Sequence, residues 1–473
     1  MMDVPLTIPL IARHAEALHG AKIVASRLPD RSVRRLTYSE VLGRARRLAS
    51  ALKQLGVRRG DRVATFCWNH HQHVETYFAV PCIVDPFEEE IDEREAAAMC
   101  YTSGTTGRPK GVVYSHRSQL LHTLVVLQPS CLGVSESGCV MPVVPMFHAN
   151  AWGAPYAATL AGANQVHAGP FLDARSLLEL MTTERVTHAM GVPTIWMGIL
   201  QELDRHAELY DLSSLQHMLI GGAAVPESLI RAFAERHGIS ITQGWGMTET
   251  SPVASVSYLT SELAASDVDT QYAYRARAGR PLPLVDVRVH DESGIRPWDD
   301  SGMAELEVRG PWVAGAYYDS PESADRFTED GWFKTGDVAS IDARGYITIR
   351  DRAKDVVKSG GEWISSVALE NAIMGMPGVA EAAVVGIAHP RWDERPLALV
   401  VLREGCTSTA DAVRAHLAPF FPKWWLPDGV EFVPAIPKTS VGKFQKREIR
   451  ERYRDYYAQA AVSSVAALSP QRT

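Results

Sequence analysis

Long apolar runs are missing from this sequence of 473 residues. A membrane-spanning helix needs roughly 20 apolar residues in succession, and the longest candidate, at residues 189–200, is short and contains Pro193. The first residues, Met1, Met2 and Asp3, also lack the basic segment that opens a secretory signal. We therefore expect a cytoplasmic protein, and peripheral contact with a membrane is left open.

Cysteine is scarce, and an excess of positive charge is absent. The six cysteines show no Cys-x-x-Cys spacing, so we interpret them as reduced and mostly structural. Lys and Arg total 48 against 55 Asp and Glu, which gives a formal charge of −7. This balance argues against nucleic acid as a partner. A polyanion such as a nucleotide would have to be held by a few locally placed cations.

What the sequence does contain is an alternation of strand-like and helix-like segments. Apolar runs at residues 62–68, 96–101 and 216–220 predict strands, and helical patterns cover residues 70–80 and follow Ser115 and Pro226. The alternation predicts an α/β fold with a mainly parallel sheet that helices cover on both faces. A strand-like run at residues 346–350 ends near a break at residues 351–355, beyond which a smaller unit of helices and strands begins. We expect an N-terminal domain over residues 1–352 and a C-terminal domain over residues 355–460.

Residues 101–111 have the composition of a phosphate-binding loop. Glycines free the backbone to turn its N–H groups inward, hydroxyl side chains add donors, and Lys110 adds a positive charge. The pattern GxxxxGK[ST] does not fit this segment, so it is not a P-loop. Composition alone leaves a plain turn as the commoner explanation of such a segment.

Five segments in order give the sequence a family resemblance. They lie at residues 102–111, 221–224, 244–250, 334–352 and 437–443. Together they resemble the adenylate-forming superfamily of acyl-CoA synthetases, luciferases and nonribosomal peptide adenylation domains. Two more segments, at residues 145–153 and 358–366, are similar to those of medium- and long-chain fatty acyl-CoA synthetases. The resemblance covers nearly the whole chain and implies a large N-terminal domain with a small, mobile α+β C-terminal domain.

The resemblance implies a fatty acid as substrate, with ATP, Mg²⁺ and CoA as cofactors. ATP would convert the acid to an acyl-adenylate with release of pyrophosphate, and the CoA thiol would then displace AMP. Charge builds at the α-phosphorus in the first step, so placed cations and Mg²⁺ must stabilise it. The sequence does not decide whether such an enzyme forms a homodimer.

The resemblance also implies roles for the residues of the nucleotide site. Lys443 would be the adenylation lysine, Glu249 would bind Mg²⁺, and Thr248 would contact the α-phosphate. Asp337 would accept hydrogen bonds from the ribose hydroxyls, assisted by Arg352. Trp245 would lie against adenine, where the family more often has tyrosine. The other nucleotide-binding positions would be Thr102, Ser103, Gly104, Thr105, Thr106, Lys110, Gly222, Ala223 and Gly246.

The acyl pocket is implied in the same way. His148, the fourth catalytic candidate, would lie beside the acyl carboxylate, and Trp152 would gate an apolar tunnel whose wall includes Val192 and Pro193. His148 and Trp152 stand four residues apart, so on a helix they would share a face. A core histidine beside a core tryptophan is the plain alternative.

A moving C-terminal domain would serve both steps of the reaction. Lys354 would be the hinge, with one pose presenting Lys443 and the other presenting Gly360, Gly361 and Trp363 to CoA. A second cluster, His70, His71 and His73, suggests a metal, but no Cys or acidic partner is spaced for one.

Residues 81–92 depart from the family, which has a much longer strand–helix–strand region here. Missing strands would expose sheet edges and apolar faces. Either the sheet closes by re-pairing, or the chain is a shortened copy with weak activity. The alternatives to a ligase are therefore a non-catalytic protein that binds a nucleotide or acyl-adenylate, and an adenylation domain that serves a carrier protein. The second is weakened because no phosphopantetheine attachment sequence follows the last motif.

Overall fold

The computed structural model of this chain describes residues 1–82, 91–102, 109–301, 303–439 and 443–459. Four residues assigned to the phosphate loop, Ser103, Gly104, Thr105 and Thr106, lie outside the described residues. Among the described residues, nine strands form one sheet, with parallel central strands and antiparallel pairing at both ends. In spatial order these strands are Arg280–Pro281, Val253–Val256, Ile241–Gly246, His217–Gly221, His188–Gly191, Cys139–Pro142, Asn164–His167, Ile23–Arg27 and Val33–Thr37.

Helices cover both faces of this sheet, as the alternation predicts. Successive strand residues point to opposite faces, and Val24 and Ala25 accordingly belong to different apolar clusters, as do Val140 and Met141. The helices of this part are Ile8–His19, Tyr38–Gln54, His71–Ala79, His116–Val126, Ala154–Ala161, Ala174–Thr183, Pro193–His206, Glu227–His237, Ser261–Ala264 and Val268–Arg275. Short 3₁₀ turns lie at Val80–Cys82, Ala207–Leu209, Thr248–Thr250, Pro321–Arg326 and Lys423–Trp425. No helix in the described part of the chain is long and apolar enough to cross a membrane.

Helix starts follow the capping signals of the sequence. Ser115 accepts a hydrogen bond of 3.1 Å from the backbone N–H of Ser118, which confirms it as the cap of His116–Val126. Thr37 and Glu40 exchange side-chain and backbone hydrogen bonds at the start of Tyr38–Gln54.

A second sheet of five antiparallel strands follows the first. Its spatial order is Gly294–Ile295, Asp286–Asp291, Ala304–Arg309, Phe333–Ile341 and Ile347–Arg352. In the last pair, Asp337 stands directly opposite Arg352. The register therefore brings together two residues that lie 15 positions apart in the chain.

The C-terminal part is a small α+β unit, so the expected fold class is confirmed. Its strands are Glu362–Ile364, Val357–Ser359, Asp393–Leu402 and Val379–His389, with Gly429–Phe432 parallel to Asp393–Leu402. Its helices are Ser366–Met374, Ala410–Leu417 and Lys446–Arg452. The boundaries at residues 352 and 355 stay a prediction.

The strand predicted at residues 62–68 is wrong. These residues form neither helix nor strand, and the side chains of Phe66 and Trp68 are 108% and 51% exposed. The strand Ala96–Thr102 pairs with Lys110–Ser115 in a separate two-stranded sheet. A strand needs a neighbour for its backbone hydrogen bonds, and no strand pairs with residues 62–68 among the described residues. Of the two alternatives for the shortened region, re-pairing of the sheet through these residues is therefore not seen in the described part of the chain.

Candidate active site

The candidate site lies where the strands His217–Gly221 and Ile241–Gly246 end, which is the edge where open α/β sheets bind ligands. Gly222 follows the first strand with φ of 82°, and the exposed Ala223 comes next. Gly246 ends the second strand, where a side chain would lie 1.8 Å from the carbonyl oxygen of Pro252. Only glycine fits at that position.

Asp337 is held by two donors at this edge. The indole Nε1 of Trp245 donates to its Oδ2 over 2.9 Å, and Nε of Arg352 contacts its Oδ1 at 2.6 Å. The Asp337 carboxylate is only 2% exposed. Because each carboxylate oxygen can accept two hydrogen bonds, one acceptor position remains on each oxygen for two neighbouring hydroxyls.

Thr248 and Glu249 lie in a 3₁₀ turn just beyond Trp245, and both are buried. The hydroxyl of Tyr317 donates to Oε1 of Glu249 over 2.5 Å, and the hydroxyl of Tyr114 donates to the carbonyl of Thr248 over 2.7 Å. Burial and the charge of Glu249 raise the pKa of Tyr317. The phenol therefore remains a hydrogen-bond donor at neutral pH.

Lys110 stands on the other side of the same tyrosine. Its Nζ donates to Oγ of Ser323 over 2.6 Å and lies 5.0 Å from the centre of the Tyr317 ring. Thr102 and Lys110 face each other across the two-stranded sheet, at the two ends of the phosphate-loop segment. The cation thus stands at the base of that segment.

Lys443 belongs to the C-terminal part of the chain and lies at the candidate site formed by Gly222, Trp245, Glu249 and Asp337, which we call the groove. A methyl group placed on Gly222 would lie 3.5 Å from Cε of Lys443. Burial lowers the pKa of Lys443 to about 8; Arg352 adds to this shift, while Asp337 and Glu249 oppose it. Lys443 therefore lies beside Gly222, within electrostatic range of Asp337 and Glu249.

His148 shares this groove with Lys443. Burial, followed by the charge of Lys443, lowers the pKa of His148 to about 4. The imidazole is therefore neutral at neutral pH, and it can exchange hydrogen bonds with a carboxylate without carrying a positive charge of its own.

His148 and Trp152 are not carried by a right-handed helix, so the condition under which they would share a helix face is not met. Ala149, Asn150, Ala151 and Trp152 form a left-handed turn with φ between 44° and 58°. Such a conformation costs about 1–2 kcal/mol per residue. The buried Asn150 side chain helps to hold it, because its Nδ2 donates a hydrogen bond to Oε1 of Gln119 and its Oδ1 accepts one from Sγ of Cys100. The two side chains therefore do not share a helix face.

Even so, the acyl-pocket candidates converge on one place. A methyl group on Gly222 would lie 3.9 Å from the Trp152 indole and 3.4 Å from Val192, and the indole is 7% exposed. Pro193 begins the helix that follows Val192 and is buried. The indole covers the space in which an acyl chain would approach Gly222.

The hinge candidates lie outside the groove. Lys354 is exposed, and Asp351 beside it is 1% exposed. Oδ2 of Asp351 accepts hydrogen bonds from the backbone N–H and the Oγ of Ser366, at 2.5 and 2.7 Å. These bonds join the last strand of the N-terminal part to the first helix of the C-terminal part.

The residues assigned to CoA lie on the surface of the C-terminal part. Gly360 and Gly361 form a turn with φ of 60° and 86°, and the Trp363 side chain is 40% exposed. A side chain on Gly360 would lie 3.1 Å from the Trp392 ring. In this pose the C-terminal part presents Lys443 to the groove while this turn faces outward.

The donor set fits Mg²⁺ better than a metal held by protein alone. No group of three or more His, Cys, Asp or Glu side chains within the described ranges could hold a metal ion, and this includes the histidines at residues 70–73. Mg²⁺ is usually held by one or two carboxylates together with substrate phosphates and waters. A single buried carboxylate, Glu249, matches that pattern.

Tyr317 and Tyr114 were not found from the sequence. Each reaches the site by a contact over a long stretch of chain: Tyr317 is 68 residues from Glu249, and Tyr114 is 134 residues from Thr248. Such pairs have no local pattern, so only a fold could reveal them.

Comparison with known proteins agrees with this geometry. The AMP-binding enzyme family matches residues 12–84 and 82–318, and the C-terminal domain of AMP-binding enzymes matches residues 368–443. The chain belongs to the AMP-binding enzyme family, and the resemblance noted in the sequence is confirmed.

Individual relatives and solved structures show which AMP-binding enzymes this chain is similar to. The chain is 43% identical to a long-chain-fatty-acid–CoA ligase of Thermus thermophilus, over 97% of this chain and 98% of the relative. It is 35% identical to a medium-chain-fatty-acid–CoA ligase of Ectopseudomonas oleovorans, over 98% and 99% of the two chains. The crystal structure of ATP-bound MatB from Rhodopseudomonas palustris is similar with a TM-score of 0.82 and 26% identity, over 95% and 100% of the two chains.

The comparisons also confirm the shortened region. The alignment with the Thermus ligase has 533 positions, and 97% of 473 is about 459 residues, so about 74 positions have no residue of this chain. The two family matches meet at residues 82–84, which places the missing segment just after the helix His71–Ala79.

Proposed function

We propose that this protein is an ATP-dependent ligase that activates a medium- or long-chain fatty acid and transfers it to CoA. The family membership and the two fatty-acid–CoA ligases among its relatives support this proposal. Neither the fold nor the relatives favour a non-catalytic binding protein. The observation that carries the proposal is the position of Lys443: its Cε lies 3.5 Å from a methyl group placed on Gly222, and the charges of Asp337 and Glu249 act on its pKa.

The nucleotide would lie across the ends of the two central strands. Asp337 would take the two ribose hydroxyls on its remaining acceptor positions, with Arg352 holding the carboxylate, and Trp245 would cover the adenine. Gly222, Ala223 and Gly246 would admit the base because they present backbone or a single methyl group to it. Thr102, Lys110 and the hydroxyl-rich residues between them would receive the terminal phosphates.

Adenylate formation would use two cations, the Lys443 ammonium and Mg²⁺. The fatty carboxylate attacks the α-phosphorus, the bond to pyrophosphate breaks, and negative charge spreads over the phosphate oxygens. Thr248 and the Lys443 ammonium would stabilise that charge from the protein side. Mg²⁺ bound at Glu249 would offset the charge of the departing pyrophosphate.

The second step would need a different pose of the C-terminal domain. Rotation about Lys354 would withdraw Lys443 and bring Gly360, Gly361 and Trp363 to the channel through which CoA enters. The CoA thiol, as thiolate, attacks the acyl carbon and AMP leaves with the electron pair of the broken bond. His148 would keep hydrogen-bond contact with the acyl group, and Trp152 would move aside for the acyl chain.

The test separates the two half-reactions. Pyrophosphate release with Mg-ATP should depend on added fatty acid, and a series of acids of graded length should show an optimum among medium or long chains. Lys443→Ala should abolish this release yet leave thioester formation from supplied acyl-AMP and CoA. Lys438→Ala, which removes an exposed lysine of the same segment paired with Glu381, is the matched control and should keep both activities.

Two results would contradict the proposal. One is a folded protein that binds Mg-ATP but releases no pyrophosphate with any acid, which would indicate a binding protein. The other is an equal loss of both half-reactions in Lys443→Ala, which would remove the case for alternation of the C-terminal domain.

A further inference from the structure

Tyr317 stands between the two charged groups predicted to meet the phosphates and the metal. Its hydroxyl donates to Oε1 of Glu249 over 2.5 Å. The face of its ring lies 5.0 Å from Nζ of Lys110. One side chain thus contacts a carboxylate and a cation that are 139 residues apart in the chain.

The tyrosine is fixed by its surroundings on every side. Its ring packs edge-on against Phe327 and Phe333, with centroids 6.2 and 6.4 Å apart. The backbone N–H of Ala314 donates to the carbonyl of Glu249 over 2.7 Å, and that of Tyr318 donates to the carbonyl of Gly111 over 2.8 Å. The segment around Tyr317 is therefore joined both to the turn of Glu249 and to the strand of Lys110.

Lys110 and Glu249 carry opposite charges, and both are predicted to act on one ligand, the magnesium-bound nucleotide. They can do so only if they do not pair with each other. A direct ion pair between Lys110 and Glu249 would compete with the phosphates for the lysine and with the metal for the carboxylate. No such pair is present among the described residues; the Lys110 ammonium instead meets Ser323 and the ring of Tyr317. Attraction of an ammonium to an aromatic face is weaker than an ion pair in a buried site, so the lysine is more readily given up to a phosphate.

We propose that Tyr317 is a positioning residue that orients the Glu249 carboxylate through its hydroxyl and keeps Lys110 apart from Glu249 through its ring. The hydroxyl occupies one carboxylate oxygen and leaves the other for a metal ion. The inference rests on the proposed nucleotide site, but neither the sequence motifs nor the similarity to relatives assigns a role to this residue.

Two substitutions distinguish the role of the Tyr317 hydroxyl from that of its ring. Tyr317→Phe keeps the ring and loses the hydroxyl, whereas Tyr317→Leu loses both. Binding is measured by calorimetry with ATP and excess Mg²⁺, and again with ATP in a metal chelator. Tyr317→Phe should weaken Mg-ATP binding on the order of tenfold, the scale of one hydrogen bond to a charged group, and leave metal-free ATP binding within about twofold of the unchanged protein. Tyr317→Leu should weaken both, because Lys110 is then free to pair with Glu249.

A neighbouring tyrosine provides the matched control. Tyr318 is 42% exposed and its hydroxyl contacts Arg62, outside the groove. Tyr318→Phe should change neither the affinity for Mg-ATP nor the affinity for metal-free ATP. The metal dependence is checked independently by the paramagnetic signal of Mn²⁺, whose binding in the presence of ATP should weaken in Tyr317→Phe and in Glu249→Gln alike.

The outcomes keep this inference distinct from the proposed function. Equal weakening of Mg-ATP and metal-free ATP in Tyr317→Phe, or no weakening of either, would overturn the role of Tyr317 while the ligase stands. If Tyr317→Phe were to misfold, Glu249→Gln still tests the metal dependence, and unchanged Mn²⁺ binding there would overturn the role. Failure of the unchanged protein to bind ATP at all would overturn the proposed function, and this inference with it.

Discussion

The indole of Trp245 and the carboxylate of Asp337 are joined by a hydrogen bond of 2.9 Å from Nε1 to Oδ2. A tryptophan stands here where the family more often has tyrosine, and its N–H lies in the five-membered part of the indole. The same side chain can therefore cover a base with its flat face and hold the neighbouring carboxylate with its edge. Under the proposed function, Trp245 would thus link the adenine end of the site to its ribose end.

This link gives a prediction about sugar recognition. Trp245→Phe keeps an aromatic face and removes the N–H, so the Asp337 carboxylate should be less well fixed. We expect the preference for ATP over 2′-deoxy-ATP and 3′-deoxy-ATP, measured as a ratio of kcat/KM in pyrophosphate release, to fall about fivefold, which corresponds to roughly 1 kcal/mol for one hydrogen bond.

A simple loss of stacking would give a different pattern. It would lower kcat/KM equally for all three nucleotides and leave the ratio unchanged, and that result would contradict a positioning role for the indole N–H. Trp298→Phe is the control, because Trp298 is 43% exposed beside Gly345 and away from Asp337. It should alter neither the rate nor the ratio.

A buried polar cluster links the two parts of the chain at the hinge. Asp351 accepts hydrogen bonds from the backbone N–H and the Oγ of Ser366, over 2.5 and 2.7 Å. Lys446 donates a hydrogen bond to Oγ of Ser366 and forms an ion pair with Glu370, and both of these contacts are 2.7 Å long. Burial disfavours the Lys446 ammonium, but the charges of Glu370, Asp351 and Asp355 outweigh it and raise the pKa of Lys446. Lys446 lies three residues beyond Lys443, so the cluster holds the segment that carries the proposed adenylation lysine.

Ser366→Ala should therefore weaken the pose that forms the adenylate. Loss of the Oγ contacts costs about 1 kcal/mol, so the adenylate-forming half-reaction should slow about fivefold, while thioester formation from supplied acyl-AMP should not slow. Rapid-quench measurement of the two half-reactions checks this.

The control for this prediction removes a hydrogen bond elsewhere in the C-terminal part. Thr409 caps the helix Ala410–Leu417 by accepting from the N–H of Ala412 over 3.1 Å. Thr409→Ala should cost a similar free energy of unfolding, about 1 kcal/mol, without changing the ratio of the half-reactions. A changed ratio in Thr409→Ala, or an unchanged one in Ser366→Ala, would show that the cluster at Asp351 does not select the pose.

Local sequence patterns were sufficient to predict these features, in which the contacting residues lie close together in the sequence or in one motif. The capping role of Ser115 and the strand after residue 216 follow from neighbouring residues, and Asp337 with Arg352 follows from a single motif that a hairpin register completes. The family resemblance added Lys443, whose partners lie more than 90 residues away.

Two kinds of feature could not be found in this way. Residues 62–68 have the composition of a strand, but strand formation depends on a partner strand, and none pairs with them among the described residues. The left-handed turn at residues 149–152 lacks the usual signal because three of its members are Ala149, Ala151 and Trp152, which rarely adopt positive φ. In both cases tertiary structure decides the conformation.

The pH dependence of adenylation should report the protonation of Lys443. Burial and Arg352 lower the pKa of Lys443 to about 8, so the ammonium is present below that pH and is lost as pH rises through it. The kcat/KM for acid-dependent pyrophosphate release, which reports the free enzyme, should therefore fall about tenfold per pH unit above pH 8. The inflection in kcat should lie at higher pH, because bound phosphates favour the charged form of Lys443.

The variant Lys443→Arg is the control, because arginine stays charged throughout this pH range. Its activity should show no fall between pH 8 and 9.5, even if its rate is lower. A fall of the same size in Lys443→Arg would assign the titration to another group and contradict the proposed role of the lysine.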